Sequence, residues 1–244
     1  MNLETSLTIA AKELKVLSRK KSIIYYIVGF PFLLMVGFLL VVKSQIVPAG
    51  GIPSDYALGL DSLTYFFVVL AAIVPSSIAA YSIVGEKIEK SLEPLLATPA
   101  TDGEILLGKS IASFVPTILS IWAAASIFMV ITDYLTRSSL SFYYFPNWTS
   151  GVMLFLLAPL GAIMSIELAV IASSRVSDVR GANQIGSLMF IPFMGVFLAG
   201  AEGIFAFSSN NLLIFSLIIL VVDVALFFLS TSTFKREEIL TKWK

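Results

Sequence analysis

The chain has 244 residues, 57% of them hydrophobic and 13% charged, where an ordinary soluble domain carries about 25% charged residues. Basic and acidic residues are equal at 16 each, so there is no bulk charge to attract nucleic acid. Cys and His are both absent, which removes disulfides, thiolate or imidazole metal sites, and Ser–His or Cys–His nucleophile pairs. These numbers describe an all-α integral membrane protein with little catalytic equipment.

Residues 1–21 precede the first apolar run. Leu3, Leu7, Ala10, Leu14 and Leu17 recur at steps of four and three, which predicts an amphipathic helix. Such a helix lies in the membrane interface, with Lys12, Lys15 and Arg19 toward the headgroups. Residues 22–234 then hold six segments near the 20 or so apolar residues that a helical span needs. They run Ser22–Val42, Asp61–Val84, Lys109–Thr132, Trp148–Ser173, Asn183–Ala199 and Leu212–Phe234. Residues 235–244 form a polar tail, and the whole of 1–244 reads as one transmembrane domain. None of the six segments alternates with period two, which argues against a β-barrel.

Lys43 and Arg137 are the only basic residues on one side of this arrangement; every other Lys and Arg falls on the opposite side. The positive-inside rule therefore places both termini in the cytoplasm. Tyr25 and Tyr26 at the inner end of span one, and Phe142, Tyr143, Tyr144, Phe145 and Trp148 at the outer mouth of span four, fit an aromatic belt. Asn147-Trp148-Thr149 matches a glycosylation acceptor, although it abuts the membrane. Five spans carry an internal proline, at Pro31, Pro75, Pro116, Pro159 and Pro192, and each frees a carbonyl and bends its helix. Ala182, Gly186, Gly195 and Ala199 permit close helix approach, within one subunit or between two. Gly200, Ala201, Glu202 and Gly203, with Phe205 and Phe207, suit a short excursion back into the outer membrane face.

The connection Gly85–Gly108 is the longest polar segment between spans. Glu86 and Lys90 form a favourable (i, i+4) pair, Thr98-Pro99 starts a turn, and Thr101 to Glu104 has capping-box spacing. Leu92, Leu95 and Leu96 stand among charges, as a docking surface for another protein would. Gly103 to Ser110 satisfies the phosphate-loop pattern G-x-x-x-x-G-K-S in full. The pattern works only as strand, open amide cradle and helix. Here the middle residues Glu104, Ile105, Leu106 and Leu107 continue a helix, and no room exists for a nucleotide-binding sheet. This chain is not expected to bind ATP.

The run from Glu86 to Pro99, followed by Gly103 to Lys109, resembles the coupling segment of type-2 ABC transporter permeases. Ser173 to Gln184 is similar to their inner loop between spans four and five. The resemblance implies the membrane subunit of an ATP-driven exporter in a prokaryotic plasma membrane, paired with a second permease copy, identical or not. ATP and Mg would sit on separate ABC ATPase subunits, with no cofactor and no enzymatic activity on this chain. Glu86, Lys87, Glu89, Lys90, Leu92, Glu93, Leu95, Leu96, Thr98 and Pro99 would fill a cleft on the ATPase. The short outer region between spans five and six departs from family members with large outer gates. It favours a small amphipathic or lipid-like substrate, such as a drug or antibiotic.

Glu167 in span four and Asp223 in span six are acids within apolar helices, each costing about 2.5–3.5 kcal/mol on insertion scales. No Lys or Arg is expected inside a span to neutralise them, while Ser165, Ser173 and Ser216 offer hydroxyls. The two acids fit a polar tie between helices, a polar patch along a substrate path, or ion coupling. The last reading makes the chain a stand-alone secondary transporter switched by Glu167 and Asp223, against which the lack of an internal repeat counts. For an intramembrane protease the absence of His removes the serine-dyad and HExxH zinc mechanisms, leaving only an acid pair, Glu167 and Asp223, expected at unequal depths.

Overall fold

A computed structural model of the chain describes residues 2–49, 53–88, 100–140, 142–176 and 178–233. Among these there is no strand, and six helices are long and apolar enough to cross a membrane: Lys21–Ile46, Tyr56–Gly85, Asp102–Arg137, Trp148–Ser173, Val179–Ala201 and Ser209–Ser230. All six overlap the expected segments, and several start earlier because polar caps extend them. Span three begins at Asp102 rather than Lys109. There the Glu104 amide donates to the Thr101 hydroxyl at 3.4 Å and the Thr101 amide donates to Glu104 Oε2 at 2.9 Å. This is the capping box read from the sequence. Span five begins at Val179 rather than Asn183, because Asp178 accepts from the Gly181 amide at 2.5 Å.

Burial is uneven. The second and fourth spans are 83% and 67% buried, whereas the first, fifth and sixth reach only 17%, 17% and 22%. Spans two and four are thus the axis of the bundle, and the others turn most of their surface outward. Phe67 and Leu70 on span two, Phe128 on span three, Leu157 on span four and Phe193 on span five form the main core. Gly186 lets span five close on this axis, since a Cβ there would stand 2.8 Å from Ala169 Cβ and 3.0 Å from Ser76 Cβ. Gly195 faces open space. The small residues of span five are therefore divided, with Gly186 and the buried Ala182 packing inside this chain.

Proline shapes the helices in a recurring way. Its ring clashes with the carbonyl four residues back and it lacks an amide hydrogen. Pro31, Pro48 and Pro159 each follow a five-residue π turn, at Tyr25–Gly29, Val42–Ile46 and Met153–Leu157. The wider turn removes the clash. Pro75 and Pro192 instead follow short breaks at residues 72–73 and 188–189, while Pro116 sits inside the continuous helix Asp102–Leu140. The π turn before Pro159 leaves one carbonyl over: the Ala158 amide bonds Met153, so Leu154 has no intrahelical donor. Trp122 Nε1 on span three donates to that Leu154 carbonyl at 2.7 Å.

The outer connections are short and are held by their own side chains and by the ends of the spans. Asp133, near the outer end of span three, is buried and accepts the Tyr144 and Phe145 amides at 3.0 Å each. A buried carboxylate is tolerated here because it organises the loop. Burial, and next the charge of Asp61, hold the Tyr144 phenol well above its ordinary titration range, so it remains a neutral donor. Asn147 is the N-cap of span four, its side chain accepting from the Ser150 amide at 2.7 Å. Between spans five and six the chain turns at Gly203, with φ +72°, and re-enters a helix at Ser209. No second helical arm intervenes, and Phe207 folds back against Gly200, where a Cβ would overlap the ring.

Candidate functional site

The lead-in helix Leu3–Ser18 begins at an Asn2 cap that accepts from the Glu4 amide at 3.0 Å. Its buried face is Ser6, Ile9, Ala10, Glu13 and Leu17, while Leu3 and Leu7 are 63% and 56% exposed. The expected stripe therefore holds at Ala10, Leu14 and Leu17 but is rotated in the first two turns, at Leu3 and Leu7. Two contacts cause the rotation. Gly108 admits the helix so closely that a Cβ there would stand 2.8 Å from both Ile9 Cβ and the Ser6 carbonyl oxygen. Glu13 is also drawn inward to a lysine.

That lysine is Lys109, only 1% exposed. Its Nζ lies 3.1 Å from Glu13 Oε1, 2.9 Å from the Ser82 carbonyl and 3.1 Å from Ser82 Oγ. Ser82 Oγ donates in turn to Glu13 Oε2 at 3.2 Å. The ammonium and the carboxylate are thus paired and hydrogen-bonded, as buried charges must be. Removing one partner of such a pair costs about 3–5 kcal/mol. Glu104 adds a second tie, its Oε1 accepting the Asn2 amide at 2.5 Å.

The position of this cluster gives it meaning. Ser82 lies on the helix Val74–Ile88, which leads into the Gly85–Gly108 connection, and Lys109 immediately follows that connection. One carboxylate, Glu13, therefore holds both ends of the connection against the lead-in helix. The helix carries the backbone of Glu86 and Lys87. Glu89, Lys90, Leu92, Glu93, Leu95, Leu96, Thr98 and Pro99 lie outside the described residues. Beyond them Ala100 is buried with Ile9 and Ile105.

The sequence did carry a signal for this cluster. Ala10, Glu13 and Leu17 follow one another at steps of three and four, so an acid stands within an apolar stripe and requires a buried cation. The phosphate-loop match holds the answer. Gly103 to Ser110 is helical throughout, as its apolar middle demands, and Gly108 and Lys109 serve to dock the lead-in helix.

The opposite side of the same helix lines a cleft of about 300 Å³ between spans three, four and six, with Gly103, Leu107, Phe114, Ile163, Glu167 and Phe227 among its walls. Here the structure departs from expectation. Ser165, Ser173 and Ser216 donate to backbone carbonyls of Ala162, Ala169 and Leu212, at 3.0, 2.6 and 2.7 Å. A hydroxyl three or four residues from a helical carbonyl is better placed to bond it than a distant acid. Glu167 Oε2 and both Asp223 oxygens have no hydrogen-bond partner among the described residues. Asp223 is likewise buried, on span six, which packs against span four.

A second polar group joins spans one, two and five. Ser77 Oγ donates to Asn183 Oδ1 at 2.8 Å and lies 3.2 Å from the Tyr26 hydroxyl. Nearby, Lys20 donates to the Tyr81 hydroxyl. Tyr26, Ser77, Tyr81 and Asn183 line a cavity of about 250 Å³ together with Ser22 and Arg180, which draws the start of span five into the wall of span two.

A family model described as ABC-2 family transporter protein matches residues 7–222. Comparison with curated proteins finds no match. The matched stretch begins inside the lead-in helix and includes Glu13, the whole Gly85–Gly108 connection, Lys109, Glu167 and five complete spans. With six apolar helices and no strand among the described residues, the chain belongs to the ABC-2 transporter family and is a permease component of an ABC transporter.

Proposed function

We propose that this permease is the membrane-spanning subunit of an ATP-driven exporter. It works with separate ATPase subunits that hold ATP and Mg, and it pairs with a second permease copy. Both termini and the Gly85–Gly108 connection face the cytoplasm of a prokaryotic cell, and the substrate is a small amphipathic or lipid-like molecule. The observation that carries this reading is the Glu13–Ser82–Lys109 cluster. A buried ion pair fixing both roots of one connection is what a segment needs if it is to pass force without bending away.

In this mechanism ATP binding closes the partner ATPases on residues Glu86 to Pro99. Displacement of the connection reaches span two through Ser82, span three through Lys109 and the lead-in helix through Glu13. The breaks before Pro75 and Pro192 and the π turns before Pro31 and Pro159 give the spans places to bend. Substrate would be released on the outer side as the bundle tilts.

The test is to place a charge in the docking surface. Leu95→Asp and Leu96→Asp are expected to abolish ATPase association in pull-downs while leaving membrane insertion and expression unchanged. Normal association of both variants would show that this connection is not the ATPase contact.

A further inference from the structure

The cleft between spans three, four and six combines two properties that point to one class of ligand. Its walls are apolar, including Leu106, Phe114, Ile163, Val170 and Phe227. Ile163 and Phe227 are 37% and 44% exposed, so the apolar lining of the cleft is accessible rather than sealed in the core. Glu167 lines the same cleft while being 8% exposed, and its Oε2 has no partner among the described residues. Asp223, 5% exposed and equally without a hydrogen-bond partner there, is a second buried acid on span six, which packs against span four.

The buried cation nearest in sequence, Lys109, is held on the opposite side of span three by Glu13. Glu167 therefore stands buried in an apolar cleft with no protein counter-charge among the described residues, and Asp223 is a second buried acid on the neighbouring span six. A buried charge in low dielectric is costly unless paired, and an apolar compartment also rewards an apolar body. A molecule that carries a cation on a hydrophobic frame meets both demands. An anionic amphiphile of equal size meets only the second and is repelled by the first.

We infer that this cleft is a binding site for hydrophobic cations, with Glu167 as the counter-ion and Ile163, Phe114 and Phe227 as the apolar contacts. The inference deepens the exporter reading by naming a substrate class, and it rests on that reading for the export step alone. It also explains the placement of the false phosphate loop. One side of that helix, at Leu106, Leu107 and Ser110, lines the cleft, while Gly108 and Lys109 hold the lead-in helix. Occupancy of the cleft is thus one helix diameter from the coupling cluster.

The experiment is equilibrium binding to the purified permease in nanodiscs, using tetraphenylphosphonium and its near-isosteric anion tetraphenylborate. Saturable binding of the phosphonium is expected, with no competition from the borate and at least a tenfold loss of affinity in Glu167→Gln. Because Glu167→Gln alters a buried position, Ile163→Trp serves as a second variant that fills the cleft while leaving both acids in place, and it is expected to block binding as well. Lack of saturable phosphonium binding, equal binding of the borate, or unchanged affinity in both variants would each overturn the site. If the permease fails these tests but still co-purifies with an ATPase, the exporter reading stands and the cation site falls. If it binds the cation without ever associating with an ATPase, the site stands and ATP is not the energy source.

Discussion

Lys109 shows how one residue changes meaning between sequence and structure. In the sequence it serves as a topological marker at the start of an apolar run and as the lysine of a false nucleotide motif. In the folded chain its ammonium is enclosed by Glu13 and Ser82. The pair is a liability if broken, because the surviving charge stays buried. Lys109→Met is therefore expected to cost about 3–5 kcal/mol, seen as a lower midpoint of thermal unfolding in detergent. Lys109→Met combined with Glu13→Leu removes both charges and is expected to recover most of that loss, since an apolar pair of similar volume often replaces a buried ion pair without penalty. Equal midpoints for the single variant and the wild type would show that the pair contributes nothing. Glu167 and Asp223 were legible as acids in apolar helices, but their neighbourhood was not. Helix register decides whether two acids on distant spans meet, and hydropathy does not encode register between spans.

At the scale of elements, the sequence located all six spans because a continuous apolar run of the right length has few other uses. Their ends were less legible. Thr101, Asp178 and Asn147 each cap a helix, so polar residues that hydropathy counts as loop belong to the spans. The prolines were visible too, but not which distortion each produces. Before Pro159 the outcome is a π turn whose spare Leu154 carbonyl is taken by Trp122. Trp122→Phe leaves that buried acceptor unpaired and is expected to cost about 1–3 kcal/mol. In a Pro159→Ala background a regular α-helix lets the Ala158 amide bond Leu154, so the same change is expected to cost much less. Thermal midpoints of the four proteins form a double-mutant cycle, and additive effects would remove the link between proline and tryptophan. The lead-in helix keeps its expected apolar face at Ala10, Leu14 and Leu17 and departs from it at Leu3 and Leu7. Its apolar periodicity could not reveal that Gly108 would admit Ile9, nor that Glu13 would turn inward.

For the whole molecule, burial of spans two and four against exposure of spans one, five and six leaves broad apolar surface on one chain. Lipid covers such surface, and so does the second permease copy of the proposed assembly. The composition already indicated a polytopic helical protein, and the connection from Glu86 to Pro99 carried the family resemblance that the match over residues 7–222 bears out. The Glu13–Ser82–Lys109 cluster was the part hidden from sequence, because its members stand 27 to 96 residues apart and only packing brings them together. The most direct test of the coupling mechanism is purification of the permease from its native membrane in mild detergent, with co-purifying chains identified by mass spectrometry. A stoichiometric ATPase with a genuine phosphate loop is expected, lost when Leu95→Asp is introduced. A pure permease without any ATPase, in detergents that preserve known ABC complexes, would contradict ATP-driven coupling and favour a carrier driven through Glu167 and Asp223.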